Sequence, residues 1–209
     1  RTLIKRGASI NEESSRGITP LICMVLNETP GDKIEELLNN KADVNAPNKN
    51  GMTAFMYAAR LRDVRSVHIF MKKNANVLTK GARNYTVLHH CVVHHSEEIV
   101  KVLVDYLKEG VGDSMRVVRF LDAVDEDGST ALILAAAVRN TLMCHVLLNL
   151  GANPNVRNSV GRTALAVARN SGFGELADWR EKMVAAGAMK VETYADIQFE
   201  KQARFGFLK

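Results

Sequence analysis

Apolar residues fall along this chain in pairs of short runs that return with a long period. Ala131-Leu132-Ile133-Leu134-Ala135-Ala136 follows Asp127-Gly128-Ser129-Thr130, and the same order of turn, Thr and apolar run occurs four more times. Aligned on the Thr, the copies sit at Thr19, Thr53, Thr86, Thr130 and Thr163, separated by 34, 33, 44 and 33 residues. A period of this length marks a row of similar units. Each Thr is placed to cap a helix, and Pro20 suits the first turn, where its missing N–H costs nothing. Ala54, Val87, Ala131 and Ala164 hold that place in the other copies. Small pairs such as Ala58-Ala59 and Ala135-Ala136 let neighbouring helices approach closely. After a break, apolar residues at helical spacing predict a second, amphipathic helix, as in Val64 to Met71 or Glu97 to Tyr106. Each unit therefore reads as turn, helix, loop, helix.

The second helix ends in a common way. Leu3 to Asn11, Leu37 to Asn45, Phe70 to Leu78 and Leu147 to Asn155 are counterparts. Gly7 and Gly151 can take the left-handed conformation that ends a helix, and Asn74 is the next best choice. Lys41 at the same place is the exception and costs something. The turn that follows carries Gly17, Gly51, Gly128 or Gly161 two residues before the Thr, matched by Asn84 in the third unit. One such helix pair cannot cover its own apolar face, so the units must stack side by side.

The period of 33, together with Gly-x-Thr-(Pro/Ala)-Leu, Ala-Ala, Leu-Leu and Gly-Ala-x-x-Asn, resembles ankyrin repeats, from Leu3 to about Met189. The resemblance implies an all-α solenoid of stacked helix-loop-helix units with β-turn tips. Its divisions are a partial repeat over 1–11, repeats over 12–45, 46–78, 79–124, 125–157 and 158–191, and a tail over 192–209. The third repeat runs eleven residues long. It reads as an extended second helix, a Gly-rich turn at Gly110 to Asp113, and a further helical or extended piece leading into the Asp125 turn. The fifth repeat is irregular around Gly172-Phe173-Gly174 and holds Trp179, the single tryptophan. Glu192 to Arg204 could form one more helix. A helix there is expected to cap the last unit, because terminal repeats need a polar outer face; a binding tail is the alternative.

Candidate chemistry changes this picture little. His89-His90-Cys91-Val92-Val93-His94-His95 is the densest reactive cluster, and the four-residue spacing of His90 and His94 is one that two metal ligands would use. No second ligand pair lies nearby, and His89 falls where ankyrin repeats commonly carry His, so packing is the preferred reading and no metal or cofactor is expected. No nucleophile turn, phosphate-cradling loop or paired carboxylate motif is present, which argues against an enzyme. Asp125-Glu126-Asp127 sits in a repeat turn, where Asp serves turn chemistry.

Composition narrows the class further. The 28 Lys and Arg against 23 Asp and Glu give a formal charge of +5, a mild excess that favours an acidic partner. The basic residues are scattered and aromatics are only 6%, so nucleic acid is not expected. No apolar run reaches the roughly 18 to 20 residues that span a bilayer, and Arg1 to Gly7 lacks the apolar region of a signal peptide. The chain reads as a fragment whose first repeat is cut. Three cysteines, Cys23, Cys91 and Cys144, fit buried thiols in a cytosolic or nuclear protein.

The remaining function is recognition of a protein or peptide, by a chain expected to be monomeric by itself. Ankyrin repeats usually meet partners through the turn residues around the Gly and the exposed end of the first helix. Carried over by position, this nominates Arg16 and Ile18; Lys49, Asn50, Met52, Arg60 and Leu61; Arg83, Tyr85, Val93 and His94; Glu126, Asp127, Ser129 and Val138; and Val160, Arg162 and Asn170. Arg16, Lys49, Arg60 and Arg83 beside Met52, Leu61 and Tyr85 form the aromatic and Arg mixture typical of interface anchors, suited to an acidic, partly apolar peptide. A scaffold or adaptor is the first reading. A regulatory or targeting domain of a larger enzyme or channel is the second, and a metal-binding module on His90 and His94 the third.

Overall fold

The computed structural model describes residues 9–109, 114–170 and 185. Gly7, the Gly110 to Asp113 turn, the Gly172-Phe173-Gly174 segment, Trp179 and the Glu192 to Arg204 helix lie outside them. Ten α-helices occur among the described residues: α1 Pro20–Leu26, α2 Gly31–Asn39, α3 Ala54–Arg60, α4 Val64–Lys72, α5 Val87–Val93, α6 Glu97–Glu109, α7 Ser114–Leu121, α8 Ala131–Ala137, α9 Thr141–Asn149 and α10 Ala164–Asn170. The third unit's excess length is thus a lengthened α6 followed by the extra helix α7.

The first helices begin where the Thr residues predict. Thr19, Thr53 and Thr130 accept hydrogen bonds from the N–H groups of Ile22, Met56 and Ile133, and Thr163 accepts from Ala166. Second helices take a different cap, with Asp63 and Asn140 accepting from Ser66 and Met143. These caps satisfy N–H groups that a helix leaves open at its start.

Stacking builds two layers. In one, α1, α3, α5, α8 and α10 pack in that order; in the other, α2, α4, α6 and α9 do so, with α7 packed against α6. Ala58, Ala59, Ala135, Ala136 and Ala168 are fully buried between first helices, where a larger side chain would force the layers apart. Phe55, Phe70, Leu88, Leu103 and Leu132 fill the space between the layers. The core is therefore a continuous ribbon along the stack.

Non-glycine residues hold several left-handed positions. Lys41 and Asn74 have φ of 72° and 58° at the helix end where Gly151 has 98°, so Lys41 carries the penalty its side chain predicts. Beyond that turn, a ladder of side-chain oxygens on backbone N–H groups links successive units. Asn11 Oδ1 accepts from Asp43 N–H at 2.9 Å, Asn45 Oδ1 from Asn76 at 2.8 Å, and Asp122 Oδ1 from Asn153 at 2.9 Å. Asp122, eight residues before Thr130 as Asn45 is before Thr53, resumes the ladder after the insertion. The cysteines divide: Cys91 and Cys144 are buried as expected, whereas Cys23 is exposed, because it lies on the face of α1 turned from α2 and α3.

Candidate partner-binding groove

Four of the five turn tips share one device. The residue five before the Thr points a side-chain oxygen back at two backbone N–H groups of its own turn. Asn48 Oδ1 accepts from Asn50 and Met52 at 2.9 and 3.0 Å, Asp125 Oδ1 from Asp127 and Ser129 at 2.9 and 2.8 Å, and Asn158 Oδ1 from Val160 and Arg162 at 3.2 and 2.9 Å. Ser14 Oγ accepts from Ile18 at 3.1 Å and more distantly from Arg16. These Asx-type turns fix the tip before any partner arrives. The tip glycines complete them with φ near 70°.

The third tip lacks that side chain, since Gly81 stands in its place. A Cβ there would lie 3.2 Å from Gly51 O, so the second and third tips meet backbone to backbone. Arg83 and Asn84 both adopt left-handed backbone, at φ 59° and 56°. Support comes from neighbours. The Arg83 carbonyl accepts from Glu126 N–H at 3.0 Å, and its guanidinium donates to Glu126 at 2.7 Å and Asp127 at 3.3 Å. The same guanidinium lies 5.2 Å from the centre of the Tyr85 ring. Tyr85 stacks on His89 and meets His90 edge to face, and His90 stacks on His94.

His89 is wholly buried and joins two repeats. Its Nδ1 lies 2.9 Å from the Thr86 hydroxyl and its Nε2 lies 3.2 Å from the Ser129 carbonyl. A neutral ring with its proton on Nε2 donates to that carbonyl and accepts at Nδ1. Burial depresses the His89 pKa. Burial also pushes His90 down to about 4, aided by the neighbouring His94, His89 and Arg60. Arg60 from the second unit thus stands beside the histidines of the third. Among the described residues, no three His, Cys, Asp or Glu side chains converge to hold a metal ion.

Arg16, Lys49, Asn50, Arg60, Leu61, Arg83, Val93, Glu126, Asp127, Val138 and Val160 are exposed, and Ile18, Tyr85, His94 and Arg162 are partly covered. Two nominated positions are corrected. Met52 and Ser129 are buried, because each belongs to the inner side of its turn, with its N–H bound to Asn48 or Asp125. The Asn170 side chain lies outside the described residues. Arg83, Glu126 and Asp127 come together as one ion cluster instead of standing apart. Arg16, Lys49 and Arg60 have no ion pair among the described residues.

Leu26 joins the nominated Leu61, Val93 and Val138 on one surface. Leu26, Leu61, Val93 and Val138, at the C-terminal ends of successive first helices, are 38 to 43% exposed and form an apolar stripe along the stack. Leu26 was legible in principle, since it follows Thr19 by the same seven residues that separate Val93 from Thr86.

A family model described as ankyrin repeats, in three copies, matches residues 1–81, 21–112 and 66–158. The chain is similar to diacylglycerol kinase zeta of Rattus norvegicus, 26% identical over 175 residues that cover 84% of this chain and 17% of the kinase. It is 25% identical over 170 residues to alpha-latrotoxin-Lg1a of Latrodectus geometricus, covering 81% of this chain and 12% of the toxin. A putative ankyrin repeat protein of Rickettsia felis is 25% identical over 153 residues, covering 73% of this chain and 49% of the relative. The chain spans less than a fifth of the kinase and of the toxin.

Proposed function

Because the chain belongs to the ankyrin-repeat family, whose members are generally protein-binding modules, we propose that it is a non-enzymatic scaffold or adaptor holding a protein or peptide in its concave groove. The stripe of Leu26, Leu61, Val93 and Val138, beside Arg16, Lys49 and Arg60 with no ion pair among the described residues, carries this reading. Helices in contact lie about 10 Å apart. A bound segment in the polyproline II conformation, with three residues per turn and about 3.1 Å per residue, would therefore present an apolar side chain to each unit at every third position. Its acidic residues would lie over the first two units, since the fourth tip is itself acidic and already paired with Arg83. The rigid tips and buried His89 favour binding by lowering the ordering cost.

The second reading is a regulatory or targeting domain within a larger enzyme or channel. It is supported by the small share of the kinase and toxin relatives that this chain spans. In either case this segment only binds. We place it in the cytosol or nucleus, where the buried free thiols of Cys91 and Cys144 would stay reduced.

Capture from cell extract, quantified by mass spectrometry, tests the groove. A partner held by the wild-type chain should be lost by Leu26→Ser/Leu61→Ser/Val93→Ser/Val138→Ser and weakened by Arg60→Ala/Tyr85→Ala. A partner retained undiminished by both variants would dispose of this reading.

A further inference from the structure

The insertion that lengthens the third repeat creates a cavity of about 440 Å³ away from the groove. Its walls come from the end of α4 and the chain after it, from the C-terminal part of α6, and from α7; no first helix or turn tip contributes. Buried Met71, Ala75, Val77 and Leu107 supply an apolar floor. Tyr106 ties the walls together, its hydroxyl donating to the Met71 carbonyl at 2.8 Å. The segment opposite is fixed as well, with the Asn76 N–H bound to Asn45 and its side chain accepting from Leu78 N–H.

Two arginines border this floor. Arg116 and Arg119, three residues apart on α7, line the cavity and have no ion pair or hydrogen bond among the described residues. Among the described residues, no Asp or Glu lines it. Phe120 and Leu121 anchor α7 in the core, which commits the other side of the helix to the arginines and to exposed Met115 and Val118. Two arginines three residues apart on one helix, beside an apolar floor, offer charge-assisted hydrogen bonds to a carboxylate next to a hydrophobic contact surface. The volume lies within the range of binding cavities and is ample for one side chain.

We propose that this cavity is a second docking site, which takes an acidic side chain and an adjacent aromatic or aliphatic one from a partner protein's peptide. The carboxylate pairs with Arg116 and Arg119, and the apolar side chain enters over Met71, Val77 and Leu107. The positive charge with no internal carboxylate favours this occupant over a second copy of the chain, because a copy would bring the same two arginines to the same place if it docked symmetrically. The repeat array would then hold partners on two surfaces.

Selection of random twelve-residue peptides displayed on phage tests the site, using the whole chain with Leu26→Ser/Leu61→Ser/Val93→Ser/Val138→Ser so that groove binders are suppressed. The enriched peptides should carry Asp or Glu beside an aromatic or aliphatic residue. A synthetic copy of one should bind the wild-type chain and the groove variant alike by fluorescence polarisation. Arg116→Gln/Arg119→Gln, which leaves the buried face of α7 intact, should weaken it at least about tenfold, the loss expected for a charged anchor. Failure to enrich any such peptide, or equal affinity for the arginine variant with unchanged circular dichroism, overturns the proposal. Because the groove is disabled in the selection, either outcome is separate from the fate of the groove reading.

Discussion

The third and fourth turn tips do the same job by different means. At the fourth, buried Asp125 binds two N–H groups of its own turn, and Gly128 supplies the left-handed residue. The third has Gly81 instead of a carboxylate and two left-handed non-glycine residues, Arg83 and Asn84. Beyond the backbone bonds of its own turn, it is held from outside, by close approach to Gly51, by the Glu126 N–H on the Arg83 carbonyl, and by His89 on the Ser129 carbonyl. A turn tied by its own side chain is stable locally, whereas one tied by neighbours exists only within the stack. Stability along the chain thus shifts from a unit's own bonds to its interfaces, the term that couples neighbours in repeat proteins.

The strongest challenge to this contrast is Asp125→Ala. It leaves two backbone N–H groups without their carboxylate in a buried turn and should cost about 3 kcal/mol, read from urea unfolding. A loss below about 1 kcal/mol would mean that the fourth tip, too, is held mainly by its neighbours. His89→Ala should cost about 2 kcal/mol, because both the Thr86 hydroxyl and the Ser129 carbonyl lose a buried partner. Its signature is reduced cooperativity between the third and fourth repeats, seen as earlier hydrogen exchange in α5 than in α9. Gly81→Ala should cost about 1 kcal/mol through crowding against Gly51 O and the Met56 sulfur, partly offset by a less flexible unfolded chain.

Acid sharpens the comparison further. His90 titrates in the fold at about 4 and normally at 6.5, so between these values the unfolded chain binds a proton that the folded chain refuses. Stability contributed by neutral His90 is present above pH 6.5, falls as pH drops toward 4, and declines no further below it. His89, also depressed by burial, acts in the same direction. Melting temperatures from pH 7.5 to 4 should show a shallower decline for His90→Gln than for wild type, and parallel curves would refute the assignment. The smallest effect belongs to Glu126→Gln. Its partner Arg83 is solvent-exposed, so the variant should be only slightly less stable at low salt and indistinguishable from wild type in about 1 M salt, where screening is short-ranged.

Much of the fold was legible because its causes are local. Thr19, Thr53 and Thr130 cap the helices that follow them, and Gly17, Gly51, Gly128 and Gly161 are left-handed at the tips. The long α6 followed from the eleven extra residues, whereas the piece after it, open in sequence between helical and extended, became the helix α7 only in the structure. The groove was only partly legible. Met52 and Ser129 looked like tip residues but turned inward, and Cys23 looked like core but turned outward. Leu26, Leu61, Val93 and Val138 become a stripe only when four helix ends are laid side by side.

By itself the sequence determined the period, the helix pairs of the first four full units, the starts of the first helices, and the necessity of stacking, since capping, left-handed turns and helical spacing act over a few residues. Only the tertiary structure decided that His89 would reach a carbonyl 40 residues away, that Arg83 would be held by Glu126, and that two arginines of the insertion would border an apolar cavity. Those outcomes depend on how one unit is rotated and seated against the next. That geometry is set by packing across interfaces, which no stretch of a single repeat encodes.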